Sequence, residues 1–279
     1  MKHKTKLYLK RSILILVLMI VTLAFYHGLV IRHYVFETSK LDSETKLRLV
    51  TLADLHSHIY GHQQQDLIDK IKKAKPDIIV MVGDMIDDEA PITGMELLLE
   101  GLQGVAPMYY VTGNHEYWSG QIKEIKAFMR KYQVTVLEQE YKVLHVKGNK
   151  VILAGLDDVA GFEEESIWEI EAKMAFKELE HEEGYKILLS HRPDLVGVYK
   201  ELPFDLVIAG HTHGGIIRIP YFSNGFFAAN QKLFPDYVGG LYKEEGFNLV
   251  VSRGLSAEVI PPRLFNPPEI TLIELIGEK

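Results

Sequence analysis

Five apolar runs of this chain end in the same kind of residue, and that recurrence constrains the fold more than any other feature. "LRLVTLADLH" runs into Asp54 and His56, and "IIVMVGD" into Asp84. "MYYVTGNH" delivers Asn114 and His115, "ILLSH" delivers His191, and "LVIAGHTH" delivers His211 and His213. Strands that are apolar on both faces need covering layers, so the chain reads as α/β. In such folds the crevice at the carboxyl ends of the strands is where ligands bind. One polar residue after a buried strand is ordinary; five such ends, always Asp, Asn or His, point to one site.

Helical patterns fall between the runs. Gln65 to Ala74 places Leu67, Ile68, Ile71 and Ala74 on one face, and further helices are expected near Met95 to Leu102 and over 119–131. The acidic segment 162–183 reads as a helix with Ile167, Ile170, Met174 and Leu179 inward and its glutamates solvated. The runs "FNLVVS" and "EITLIEL" close the domain. With 279 residues, 47% of them apolar, the chain is long enough for one substantial core.

Charge narrows the partners. The formal charge is −7, and basic residues cluster only in the first eleven positions and in "KIKKAK", the solvated face of a helix. A nucleic-acid surface would need a broader basic stripe, so none is expected. The chain has no cysteine, so a metal must be held by His, Asp, Glu or Asn.

The N-terminus divides into a basic segment, 1–11, an apolar segment, 12–31, and a polar tether, 32–46; residues 47–279 form one soluble domain. "SILILVLMIVTLAFYHGLVI" carries no formal charge and, at about 1.5 Å per residue, matches the roughly 30 Å hydrocarbon core of a bilayer. A cleaved signal peptide is the alternative. The bulky "FYHGLVIRHYV" after it has no small-x-small cleavage pattern, which favours a retained single-pass anchor in the cell membrane. Lys2, Lys4, Lys6, Lys10 and Arg11 precede the span, against Arg32 alone before Lys40, which favours an extracytoplasmic C-terminal domain.

The site residues have metal-binding chemistry. Apart from His115, they offer four imidazoles, two carboxylates and an amide oxygen, a mixed donor set suited to Mn, Fe or Zn. Taken singly, Asp84 reads as a turn or helix cap and His191 as a satisfied buried histidine; as a set they read as a metal centre. Period two on a strand puts His211 and His213 on one face. Gly83, Gly113 and Gly210 precede three of the ligands, where a compact cluster needs close backbone approach.

"DLH", "GDMID", "GNHE", the lone "SH" and "GHTHGG", in this order, resemble the motifs of the calcineurin-like metallophosphoesterases. The likeness covers about Leu47 to Leu275, and the apolar N-terminus with "SRGL" and "NPPEITLIEL" resembles the membrane-associated bacterial branch of the YkuE and YaeI type. It implies a four-layer αββα sandwich with two mixed β-sheets, preceded by one transmembrane helix. It also implies two divalent metal ions: Asp54, His56 and His213 on the first, Asn114, His191 and His211 on the second, Asp84 bridging. A shared water, acidified by both ions, would attack phosphorus. His115 would stabilise the phosphoryl group or protonate the leaving alkoxide, and Asp87 would orient it; capping the next loop is an equal role for Asp87.

"DLHSH" departs from the family, which commonly has glycine where this chain has His58. His58 is a candidate substrate contact or a solvated loop residue. Arg253 in "VVSRGL" is a candidate phosphate or head-group contact or a strand-end salt bridge; His62 and His145 have no motif support. Part of the aromatic stretch 219–242 packs on the core, and Phe226 and Phe227, after the turn signal "SNG", are either core residues too or an apolar lip for a lipid-bearing phosphoester. The expected function is a membrane-anchored, dinuclear-metal phosphoester hydrolase, a phosphomonoesterase or phosphodiesterase. The alternatives are hydrolysis of a lipid-linked pyrophosphate, as in diacylglucosamine diphosphatase-like enzymes, and a catalytically silent metal-binding module.

Overall fold

The apolar runs become two six-stranded sheets. The computed structural model describes residues 2–220, 222–228, 233–257 and 261–278. Its strands are β1 (Val30–Thr38), β2 (Lys46–Leu52), β3 (Ile78–Val82), β4 (Met108–Val111), β5 (Val134–Val136) and β6 (Glu140–Val146). They continue as β7 (Asn149–Gly155), β8 (Tyr185–Leu189), β9 (Leu206–Ala209), β10 (Gly240–Lys243), β11 (Asn248–Val251) and β12 (Glu269–Gly277). The helices are α1 (Lys2–Ala24), α2 (Gln65–Ala74), α3 (Thr93–Leu102), α4 (Asn114–Trp118), α5 (Ile122–Lys131), α6 (Glu165–Phe176) and α7 (Val196–Tyr199).

One sheet has the order β1-β12-β2-β3-β4-β5, the other β10-β11-β9-β8-β7-β6. Both are mixed: β12 runs antiparallel to β2, and β6 and β10 are antiparallel to their neighbours. The alternation within each strand sorts side chains into layers. In β3, Ile78, Val80 and Val82 enter the core between the sheets, while Ile79 and Met81 face the helices. Across that inner core lie Leu153, Ile187, Leu189 and Ile208. Leu67 and Ile71 of α2, Leu98 of α3 and Met129 of α5 cover one sheet; Trp168 and Phe176 of α6 and Tyr199 of α7 cover the other. The result is the expected αββα sandwich, with each fully buried Leu or Ile contributing about 1.5–3 kcal/mol.

Three expectations change. The segment read as a tether, 32–46, holds most of β1, which pairs in parallel with β12 from Val30↔Glu269 to Thr38↔Gly277. Its mostly exposed pattern disguised it, because an edge strand has a neighbour on one side only. The apolar helix accordingly spans Lys2–Ala24 and ends before Val30 and Ile31, which belong to the sheet; its stretch Thr5–Ala24 has mean hydropathy 2.1 and is long enough to cross a membrane. In α6, Trp168, Ala172 and Phe176 face inward, leaving Ile167, Ile170 and Met174 exposed. The larger aromatic surfaces set the rotation, and Trp168 Nε1 also donates to the carbonyl of Asp157 at 2.8 Å.

Candidate metal centre

The parallel strands β2, β3 and β4 of one sheet and β8 and β9 of the other finish at a common edge. Hydrogen bonds stitch the loops beyond them: Asp54 N to Gly83 O at 3.1 Å, His56 N to Asp84 O at 2.9 Å, and Gly210 N to His191 O at 3.0 Å. Two bonds cross between the sheets. His211 N donates to Asp54 Oδ1 at 2.8 Å, and His191 Nδ1 donates to Val82 O at 2.8 Å.

This edge brings the expected ligands together. Ligand atoms of Asp54, His56 and His213 lie within 4.8 Å of one another, as do those of Asp84, His191 and His211. Asp84 Oδ2 reaches both groups, 3.9 Å from His56 Nε2 and 3.1 Å from His191 Nε2. Five of these residues have left-handed backbones: Asp54 (φ 50°), His56 (48°), Asp84 (50°), His211 (70°) and His213 (47°). That conformation costs on the order of 1 kcal/mol or more each and is characteristic of functional sites. Close packing demands glycine at two neighbours: a Cβ on Gly83 would lie 2.4 Å from His191 Nδ1, and one on Gly113 2.2 Å from Asp84 Oδ1.

The donors fit cations. Among the described residues Asp54 Oδ2, His56 Nε2, Asn114 Oδ1 and His211 Nε2 are buried without a hydrogen-bond partner, an arrangement that a bound cation would satisfy. Two of the histidines also turn Nδ1 toward an oxygen acceptor outside the cluster. His191 gives its Nδ1 proton to Val82 O, and His56 gives its own to Asp87 Oδ2 at 3.1 Å, leaving Nε2 of each as the donor atom.

The electrostatics agree. Burial pushes the Asp54 carboxyl up to about 6, against the pull of His191. Burial also opposes ionisation of Asp84, but His191 and His56 outweigh it and hold that carboxyl well below the usual range. Burial would lower His191, yet Asp84 beside it raises it to about 10, so in the absence of a cation Nε2 keeps a proton toward Asp84 that a bound ion would displace. Burial depresses both His211 and His213, so these imidazoles stay neutral and able to donate. A pocket this rich in buried carboxylate and neutral imidazole is built for positive charge.

Asp87 is placed differently from expectation. His115 Nδ1 lies 2.6 Å from Asp88 Oδ1 and 3.9 Å from Asp87 Oδ2. Asp87 is the partner of His56, and its carboxyl is lowered chiefly by that hydrogen bond. It also accepts from the backbone of Glu89 and Ala90, each at 3.0 Å, so the capping role holds as well. His115 stands at the open side, its ring edge-on to His56 at 4.4 Å, and its backbone N donates to Asp84 Oδ1 at 2.9 Å. His58 packs its ring against Tyr60. Arg253 faces Glu269 at 3.4 Å, the strand-end ion pair, and also lines a cavity beside the metal loop. His62 and His145 are exposed.

Several residues that shape the site escaped the sequence reading. Glu116, fully buried, accepts from the backbone N of Gly113, Asp84, Met85 and Ile86, locking the second and third motifs together. Its position three residues after Gly113, as in a capping box, was the available signal. Arg263 and Asn266 donate to the carbonyl of His213, at 3.1 and 2.7 Å. Nothing local marks them, because they lie far along the chain.

Comparison with known proteins defines the class. Residues 47–215 match the family model for calcineurin-like phosphoesterases. The chain is 31% identical over 261 residues to an uncharacterized metallophosphoesterase of Helicobacter pylori, covering 90% of this chain and 66% of that relative. It is 27% identical over 241 residues to the phosphodiesterase YaeI of Escherichia coli, covering 84% of each. Among solved structures, GAP50, the anchor in the inner membrane complex of Plasmodium, shares the fold with a TM-score of 0.52 at 12% identity, covering 83% of this chain and 81% of that one. The chain belongs to the calcineurin-like phosphoesterase family. It spans just under two thirds of the length of the Helicobacter relative.

Proposed function

We infer that this protein is a metal-dependent phosphoester hydrolase held at the membrane by α1. One observation carries the reading: two groups of buried and half-buried donor residues, several with unpartnered donor atoms, flank the Asp84 carboxylate. Asp54, His56 and His213 would hold one divalent ion and Asn114, His191 and His211 the other, with Asp84 between them. Bound there, such a pair supplies Lewis-acid stabilisation of the phosphoryl oxygens and lowers the pKa of water toward neutrality. Asp87 and Val82 keep His56 and His191 turned toward the ions. His115, at the open side and anchored by Asp88, faces the substrate and hands a proton to the leaving oxygen. The complete ligand set speaks against a silent binding module.

Two features support a lipid-borne substrate. The helix α1 exposes apolar side chains along its length, and the loop after His213 exposes Phe222, Phe226, Phe227 and Phe234. Phe226 and Phe227 both bond through backbone N to Gly215 O, beside the metal ligands, and Phe226 packs on Phe234 at 4.7 Å. Ala228 and Val238 of the same stretch are core; Tyr221 and residues 229–232 lie outside the described residues. The excess of basic residues at the N-terminal end of α1, Lys2 to Arg11, supports an extracytoplasmic domain. A lipid-linked pyrophosphate suits the same lip and metals. The test is metal-stimulated product release by the full chain in detergent, with Mn, Fe or Zn: inorganic phosphate from monoester and lipid pyrophosphate substrates, the freed alcohol from diesters. No metal-stimulated release from any of them would refute the hydrolase.

A further inference from the structure

A cavity of about 450 Å³ beside the metal loop is lined by three arginines: Arg32 of β1, and Arg218 and Arg253 from the loops flanking β9 and β11. Their charges are not balanced. Glu269, fully buried, lies 3.6 Å from Arg32 Nε and 3.4 Å from Arg253 Nε. Among the described residues no other carboxylate pairs with the three, and Arg218 has none within ion-pair reach. Three guanidiniums thus face one carboxylate. Arg218 is buried, donates to Gly214 O at 3.0 Å and to Asn224 Oδ1, and so is fixed in place. Arg253 Nε is buried and donates no hydrogen bond. Burial, with Arg253 and Arg32 alongside, brings Arg218 down to about 10, as expected of cations crowded without counter-charge.

The cavity sits where the apolar helix leaves the domain. Phe265, one of its walls, donates its backbone N to the carbonyl of Ala24, the last residue of α1, at 2.8 Å. Ile219 and Phe222 also line it and are exposed, Phe222 by 90%. An apolar rim around a cationic hollow, at the foot of a membrane-length helix, matches the level at which lipid phosphates lie. Arginine forks suit such an oxyanion, since each can donate two parallel hydrogen bonds.

We propose that the Arg32–Arg218–Arg253 cavity is a second phosphate site, separate from the metal centre, that takes the phosphate of an anionic lipid head group. The phosphate would meet the spare guanidinium hydrogens, its acyl chains lying over Ile219 and Phe222. Through Gly214, whose carbonyl holds Arg218, occupancy would brace the loop that carries His213. The site does not rest on the hydrolase reading; only its lipid source rests on α1 entering a membrane.

The test uses the full chain in detergent, titrated separately with dihexanoyl phosphatidylglycerol, dihexanoyl phosphatidylcholine and inorganic phosphate, with binding read from calorimetry and thermal shift. The variants are Arg32→Glu and Arg32→Lys, at a half-exposed edge-strand position, the melting temperature of Arg32→Glu being followed because its carboxylate would face the buried Glu269. The anionic lipid should bind more tightly than phosphatidylcholine. Arg32→Glu should weaken it at least ~10-fold, the order of one lost charge-assisted bond, and Arg32→Lys far less. The metal centre is common to all three proteins, so its own affinity for phosphate cancels. Weakening of inorganic phosphate alone would reassign the site to a free oxyanion. Should Arg32→Glu lower the melting temperature, Arg218→Lys, which keeps the charge but loses the fork, provides the second comparison and should weaken the anionic lipid several-fold. Equal binding of every probe by parent and variants would overturn the proposal. Turnover is assayed separately, so loss of the hydrolase reading would leave this result standing.

Discussion

Asp87 Oδ2 lies 3.1 Å from Nδ1 of His56, while the next residue, Asp88, takes Nδ1 of His115 at 2.6 Å. Two adjacent carboxylates thus serve two different imidazoles, one proposed to hold metal and one to face substrate. Asp87→Ala should weaken metal affinity by about 10–100-fold, as for other partners behind a ligand. Asp88→Ala should lower turnover with metal content unchanged. Metal titration alongside kinetics separates them; the reverse pattern would return Asp87 to His115.

Asp84 is the shared carboxylate. Asp84→Asn removes a negative charge from between the two groups of donors and should cost at least about 10²-fold in rate, with fewer ions retained per chain. Elemental analysis of the purified variant is the check. Full occupancy with parental turnover would sink the two-ion assignment.

His115→Ala should cost about 10²–10⁴-fold if the imidazole protonates the leaving group. Aryl esters with acidic leaving groups need that proton less and should lose less than alkyl esters. Equal losses would leave charge stabilisation as its only role.

Replacing Phe226 and Phe227 together with Ser should reduce turnover of a long-chain lipid phosphoester several-fold more than that of a small soluble ester. Both rings are partly exposed, so the melting temperature should change little. A fall in stability, or equal loss on both substrates, would assign the rings to packing.

A reporter fused at the C-terminus should be active outside the cytoplasm, with the protein still in membranes after a salt wash. A shortened soluble form would mean that α1 is cleaved. Reporter activity in the cytoplasm would reverse the orientation.

Much of the site was legible in the sequence because its signals are local. Asp54, Asp84, Asn114, His191 and His211 each follow a buried run directly, so strand geometry alone delivers them to one edge. The helix α2 was equally legible, its four apolar residues at helical spacing all being buried. Residue types narrowed the candidate donors, since a chain without cysteine offers a cation nitrogen and oxygen in this pattern. What the sequence left open depends on position to within one residue or on partners far away. Asp87 and Asp88 are chemically the same, and only the path of the loop decides which imidazole each meets. The strand β1 looks polar because its one neighbour, β12, comes more than two hundred residues later. The face of α6 turned on whether Trp168 or Ile167 found the deeper cleft. Arg253 stands in "SRGL", but Arg32 and Arg218 are distant from it in the chain and carry no motif, so the cavity common to the three exists only once the strands and loops that bear them have come together.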